Sequence, residues 1–179
     1  MNADFSRILL TEAEIAGKVR EIAGRIDRDY ENRQPLMVGI LKGSFIFMAD
    51  LVRAMKTPCA VDFMAVSSYG KGSVSTGAVR ILKDLDTSIE GKDVILVEDI
   101  LDSGLTLSYI IDLMARSKPS SVRICTLLDK PERRKVPISA DYPGFGIPDE
   151  FVVGYGLDYA EKYRNLPYIA VLSPHIYNS

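Results

Sequence analysis

Three carboxylates, Glu98, Asp99 and Asp102, fall within five positions directly after the apolar run Val94-Ile95-Leu96-Val97. Ser103, Gly104, Leu105 and Thr106 follow, and then Leu107, Ile110, Ile111 and Met114 recur at helical spacing. The apolar run reads as a buried strand, and the small-residue turn opens a helix. At such a turn the backbone N–H groups of residues 103–106 converge on one spot, and the helix dipole adds positive potential. The hydroxyls of Ser103 and Thr106 contribute further donors. Together these are the parts of an anion cradle sized for a terminal phosphate. The same stretch can also be read as a polar strand end followed by a helix cap at Asp102 or Ser103. The density of acids favours the cradle. Carboxylates beside a phosphate repel it unless they serve another part of the ligand, and sugar hydroxyls or a hard cation such as Mg²⁺ suit them.

Two common nucleotide sites are excluded by pattern. The chain contains neither G-x-x-x-x-G-K-[ST] nor G-x-G-x-x-G.

The elements that must position the acids follow from hydrophobic periodicity. Thr11 with Glu14 is a capping-box pattern, and Ile15, Val19, Ile22 and Ile26 predict an amphipathic helix over residues 11–30. Short apolar runs predict strands at 36–41, 61–67, 79–85, 93–101, 121–128 and 168–172. Residues 44–55 and 105–117 read as helices, the second stopped by Pro119, and Glu90-Gly91 reads as the turn between two strands. Residues 70–77 (GKGSVSTG) interrupt the pattern with small residues. Apolar strands alternating with helices imply an α/β fold with a mostly parallel sheet, helices on both faces and right-handed crossovers. Ligands in such sheets sit beyond the carboxyl ends of the strands.

Composition is compatible with that architecture. The 179 residues are 47% hydrophobic and 26% charged, with a formal net charge of -2. No basic field of the kind that grips nucleic acid is present, and nucleic acid is not an expected partner. Cys59 and Cys125 lie among apolar residues and read as reduced core thiols of a cytoplasmic protein. MNADFSRILL lacks a signal-peptide pattern, and no apolar run approaches the about 20 residues that span a bilayer. His175 reads as a surface residue, and Met48, Met55 and Met114 as core.

The stretch Val97-Glu98-Asp99-Ile100-Leu101-Asp102-Ser103-Gly104-Leu105-Thr106 resembles the PRPP-binding motif of the type I phosphoribosyltransferases. Further segments resemble the hypoxanthine-guanine members. They are the pyrophosphate loop Leu41-Lys42-Gly43-Ser44, the Ser68-Tyr69 start of a lid over about 68–77, and the base-pocket turn Asp129-Lys130-Pro131. Phe151-Val152-Val153-Gly154-Tyr155-Gly156-Leu157-Asp158-Tyr159, continuing to Arg164, resembles their C-terminal segment. The likeness spans almost the whole chain. Ser44, where members often carry a second glycine, and Asp129 before the lysine depart from it.

That resemblance implies one domain of the type I phosphoribosyltransferase fold over residues 1–179, with a small C-terminal hood at about 129–167. It implies transfer of ribose 5-phosphate from PRPP to hypoxanthine or guanine, giving IMP or GMP and pyrophosphate, with Mg²⁺ as cofactor. Asp102 would handle the proton on purine N7, and residues 102–106 would hold the 5′-phosphate. Glu98 and Asp99 would bind the ribose hydroxyls and shape a metal site, and Asp158 would hold a second Mg²⁺ beside the purine. Lys42, Gly43, Arg164, Ser68 and Tyr69 would bind pyrophosphate. Lys130 would donate to the purine 6-oxo group, Phe151 would stack on the base, and Val152 would meet it through its backbone. Taken alone, Lys130 reads as part of a solvated loop and Phe151-Val152 as strand core. The family also raises a cis peptide before Lys42 and a homodimer or homotetramer.

The competing class is a PRPP-binding regulator of transcription or RNA on the same fold. No spare length precedes Thr11 for a helix-turn-helix, and Asp102 is present, so the enzyme is favoured. Among enzymes, xanthine-preferring, guanine-only and adenine phosphoribosyltransferases are the rivals.

Overall fold

The computed structural model describes residues 4–68 and 79–177. After β1 (Phe5–Leu10) comes helix α1 (Glu12–Asp29), started by a complete capping box. The Thr11 hydroxyl accepts from the Glu14 N–H at 3.3 Å, and the Glu14 carboxylate accepts from the Thr11 N–H at 2.8 Å. Ile15, Val19, Ile22, Ala23 and Ile26 form its buried face, as their spacing predicts.

Then follow β2 (Leu36–Leu41), α2 (Phe45–Ala54), β3 (Ala60–Ser68), β4 (Val79–Lys83), β5 (Asp93–Leu101), α3 (Leu105–Ala115) and β6 (Ser121–Asp129). The chain continues through a single 3-10 turn at Pro131–Arg133 into β7 (Tyr142–Gly146), β8 (Val152–Val153), β9 (Ile169–Leu172) and a short α4 (Pro174–Tyr177). Among the described residues, six strands form one sheet in the order β4-β3-β2-β5-β6-β7. Its pairings are parallel except between β3 and β4. Strand alternation sends Val94 and Leu96 to the face covered by α3, and Ile95 and Val97 to the face covered by α1 and α2. The sheet is therefore buried on both sides, and the carboxyl ends of β2, β5 and β6 lie together along one edge. None of the described helices is long and apolar enough to cross a membrane.

Several expectations need correction. The last strand does not join the parallel sheet. β9 pairs antiparallel with β1 and with β8, so the second, three-stranded sheet draws on both ends of the chain. Within the segment expected as a hood at about 129–167, β7 extends the main sheet beside β6 and β8 joins the smaller sheet through β9.

Three strands escape pattern reading for physical reasons. β1 has two register shifts and no clean alternation, and β8 has two residues. β7, Tyr-Pro-Gly-Phe-Gly, carries a proline that an edge strand tolerates. Its Gly144 is required by contact, since a Cβ there would lie 2.2 Å from the Leu127 carbonyl oxygen.

The turn at Glu90-Gly91 is present, but it does not pair β4 with β5. Cys125 is buried as expected, while Cys59 and Met55 are only half-buried. His175 is exposed.

Candidate active site

Helix α3 begins without a side-chain cap. Its N-cap is Gly104, at φ +82°, and not Asp102 or Ser103. The Ser103 hydroxyl accepts from the Leu105 N–H at 3.4 Å. The capping alternative thus gives way to a helix start whose N-cap residue offers no side-chain cap, where backbone N–H groups and the dipole attract an anion. A cavity of about 250 Å³ lies in front of it, lined among others by Leu41, Glu98, Asp102, Ser103, Gly104 and Thr106. Gly104 is fixed by conformation and by space, because a Cβ would sit 2.5 Å from Ile138 Cγ2.

The loop after β2 closes on the acid pair. β2 and β5 run in register to Gly39 opposite Val97, so the following residues meet Glu98 and Asp99. A Cβ on Gly43 would be 1.7 Å from Asp99 Oδ2, and one on Gly156 would be 2.2 Å from the Gly43 carbonyl oxygen. Three segments distant in sequence touch at glycines. Buried Ser44 donates to the Ile40 carbonyl oxygen at 2.7 Å, so the departure from a second glycine closes the turn. The Leu41–Lys42 peptide is cis.

Two cations face this loop. Lys42 Nζ lies 3.2 Å from Glu161 Oε1. Arg164 donates to the Gly156 carbonyl oxygen at 2.8 Å and pairs with Asp158 at 2.9 Å and with Glu161 at 3.4 Å. Arg164 Nε is buried without a partner among the described residues. Lys42 and Arg164 thus share one carboxylate, Glu161, where a bound anion could take its place. Asp158 Oδ2 also accepts from the Glu161 N–H at 2.8 Å, so the paired Asp158 braces this corner.

Burial pushes the Glu98 carboxyl well above the usual carboxylate range, and the neighbouring Asp99 charge adds to this. Burial raises Asp99 as well, against the Ile100 N–H that hydrogen-bonds it, the Glu98 hydrogen bond and the Arg164 charge. Glu98 Oε2 is buried with no hydrogen-bond partner among the described residues. No group of three or more His, Cys, Asp or Glu side chains able to cage a metal occurs among the described residues, so Glu98, Asp99 and Asp158 do not form one. Two adjacent acids with an orphaned oxygen suit an ion that keeps its waters and takes substrate oxygens as ligands. Mg²⁺ is such an ion.

The loop after β6 supplies the third wall. Lys130 is buried, at 8% exposure, and its Nζ donates to the Glu150 carbonyl oxygen at 2.7 Å. Asp129, the other departure, turns away to pair with Arg134. Arg134 also donates to the carbonyl oxygens of Leu101 and Asp102, and the Lys135 N–H donates to the Ser103 carbonyl oxygen at 2.9 Å. The lysine-bearing loop is thereby bonded to the floor of the cradle. Phe151 is 40% exposed, with Tyr177 stacked on its ring at 5.2 Å and Tyr159 edge-on at 5.6 Å. Val152 is buried in β8. Ser68 ends β3, while Tyr69 and the lid expected to about residue 77 lie outside the described residues.

Arg133, Arg134, Asp149, Glu161 and Tyr177 join the site without having been anticipated. The basic run 133–135 could have flagged two of them. The others carry no local signal.

A parallel sheet with an acid pair, an uncapped helix start and a lysine-bearing loop at its carboxyl edge defines a phosphoribosyltransferase. The family profile described as phosphoribosyl transferase domain matches residues 7–160. The chain is 54% identical over 179 residues to the hypoxanthine-guanine phosphoribosyltransferase of Bacillus subtilis, covering 100% of this chain and 99% of that one. It is 52% identical over 178 residues to the enzyme of that name from Streptococcus thermophilus, covering 99% of both. A solved hypoxanthine phosphoribosyltransferase from Staphylococcus aureus superposes with a TM-score of 0.96 at 51% identity, covering 100% of each chain. The chain belongs to the hypoxanthine-guanine phosphoribosyltransferases, transferases of purine salvage.

Proposed function

We propose that the chain joins hypoxanthine or guanine to the ribose 5-phosphate of PRPP, with the residues above in stated roles. The observation that carries the assignment is the uncapped start of α3 directly beyond Glu98 and Asp99, with Asp102 between them. These groups are contiguous in the chain, as a substrate that joins a phosphate, a sugar and a reacting carbon within one small molecule requires.

The 5′-phosphate takes the N–H groups and hydroxyls of residues 103–106. Glu98 and Asp99 bind the ribose hydroxyls and, with Asp158 further off, provide oxygen ligands for Mg²⁺. Bound there, Mg²⁺ would offset the negative charge of the departing pyrophosphate. Lys42, Arg164 and the backbone of Gly43 hold the pyrophosphate, displacing Glu161 from the two cations. The bond from the anomeric carbon to pyrophosphate breaks as the bond to purine N9 forms, and the N7 proton passes to Asp102. Lys130 fixes the 6-oxo group, while Phe151 stacks on the ring. Most of the acceleration comes from holding the two substrates in line.

Following nucleotide formation from PRPP with hypoxanthine, guanine, xanthine and adenine in parallel tests the reading. Turnover of the first two with Mg²⁺, its loss on chelation, and rejection of adenine are expected. Adenine as the best substrate would overturn it. A homodimer or homotetramer is expected from the family, and light scattering in solution checks it.

A further inference from the structure

Arg133 lies where the proposed chemistry needs precision, yet that chemistry gives it no part. Its Nε donates to Asp102 Oδ1 at 2.6 Å, and its Nη1 donates to Asp149 Oδ1 and Oδ2 at 3.3 and 3.2 Å. Asp149 Oδ1 also receives Lys130 Nζ at 3.5 Å. The four side chains form a chain, Asp102–Arg133–Asp149–Lys130. Its ends are the two groups assigned to adjacent atoms of one purine edge, N7 and the 6-oxo oxygen.

We infer that Arg133, held by Asp149, is a positioning residue that orients the Asp102 carboxylate toward purine N7 and fixes its distance from Lys130. The inference rests on the reading of Asp102 as the acceptor of the N7 proton.

Three observations favour this role. Arg133 takes one oxygen of Asp102, and no hydrogen bond reaches Oδ2 among the described residues, so the second oxygen is free for N7–H. The guanidinium is planar with donors in fixed directions, so Nε and Nη1 set the angle between the two carboxylates; a lysine could not. The backbone also aims the side chain, since Arg133 ends the turn that Pro131 opens and its N–H donates to the Lys130 carbonyl oxygen at 3.1 Å. Stability does not account for the arrangement. The side chains of Arg133, Asp102 and Asp149 are 48%, 41% and 46% exposed, and exposed ion pairs add little to folding.

The test uses Arg133→Met, Arg133→Lys, Asp149→Asn and Asp102→Asn in the full-length enzyme. With hypoxanthine, Arg133→Met should lower kcat roughly 10–100-fold, as expected for a slightly misplaced catalytic group. The KM for PRPP should change by less than about threefold, and Arg133→Lys should recover only part of kcat. Asp149→Asn should move kcat in the same direction by less, and adding it to Arg133→Met should cost little more, because the two act as one unit.

8-Azahypoxanthine, with a more acidic ring N–H, separates positioning from a merely structural role. If Arg133 serves the proton transfer, the defects of Arg133→Met and Asp102→Asn shrink together on this substrate. An Arg133→Met enzyme with unchanged or raised kcat, or a defect equal on both purines, overturns the inference and leaves the Asp102 reading standing. Full activity of Asp102→Asn on hypoxanthine would sink the Asp102 reading itself, and the inference with it.

Discussion

The phosphate side and the base side of this site are built from different materials. On the phosphate side the proposed binding groups are backbone N–H groups at the start of α3, placed by a strand buried on both faces and by a glycine at φ +82°. On the proposed base side they are side chains that hold one another, most of them exposed or half-buried around the buried Lys130: Arg133 with Asp102 and Asp149, and Phe151 with Tyr177 and Tyr159. A cradle made of backbone changes only if the fold changes. A pocket made of paired side chains can be retuned by single substitutions. The anchoring of PRPP and the choice of purine are therefore expected to fail separately.

The largest separate failure belongs to Lys130. A buried donor built to meet the 6-oxo oxygen would face the amino group of adenine, and about 10⁴-fold rejection is the scale for such a mismatch. Lys130→Met should lower kcat/KM for hypoxanthine roughly 10²–10³-fold and narrow the gap to adenine, leaving the PRPP dissociation constant nearly unchanged. Steady-state kinetics with both purines checks it. Weaker PRPP binding in this variant would break the division.

Gly104→Ala should fail the other way. Its Cβ would lie 2.5 Å from Ile138 Cγ2 on a backbone at φ +82°, so the start of α3 must shift. We expect PRPP affinity to fall roughly 10–100-fold by calorimetry, since several N–H groups move together. Gly91→Ala is the control, because Gly91 has φ +70° with nothing within 4 Å of an added Cβ. It should cost stability on the order of 1 kcal/mol and leave PRPP binding intact.

These two substitutions also show which side could be read from sequence. The cradle is local, with acids, hydroxyls and glycine within nine positions from Glu98 to Thr106, and strand and helix periodicity frames it. The base side joins residues 102, 130, 133, 149, 151 and 177 through contacts that no local pattern records. Lys130 and Phe151 entered only through resemblance to a family, and Asp149 and Tyr177 did not enter. The fold divides likewise. The strands β2, β3, β5, β6 and β9 announce themselves by apolar runs, whereas β1 is held by β9 at the other end of the chain, and β7 and β8 by pairing with β6 and β9.

A smaller effect concerns the acid pair. Burial raises Glu98 above its unfolded value, so its contribution to stability is present at low pH and is lost as pH rises through the raised value. Glu98→Gln should therefore raise the melting temperature of the ligand-free protein by about 2–4 °C at pH 8, and by less at pH 5. Thermal melts at both pH values check it. A variant less stable at pH 8 would contradict the desolvation argument.

The smallest effect is expected at Tyr177, which stacks on Phe151. Tyr177→Ala should raise the purine KM roughly threefold to tenfold, with Tyr177→Phe near wild type, because ring contact is worth about 1 kcal/mol. A change confined to the PRPP KM would assign the C-terminal turn elsewhere.

Asp102 stands where the two sides meet, and Asp102→Asn separates them when PRPP binding and turnover are measured on the same sample. Asparagine keeps the shape beside the cradle and cannot accept the proton. A PRPP dissociation constant within about threefold of wild type and a kcat lower by roughly 10²–10⁴ are expected. Unchanged turnover across the pH range, or loss of PRPP binding in step with turnover, would contradict it.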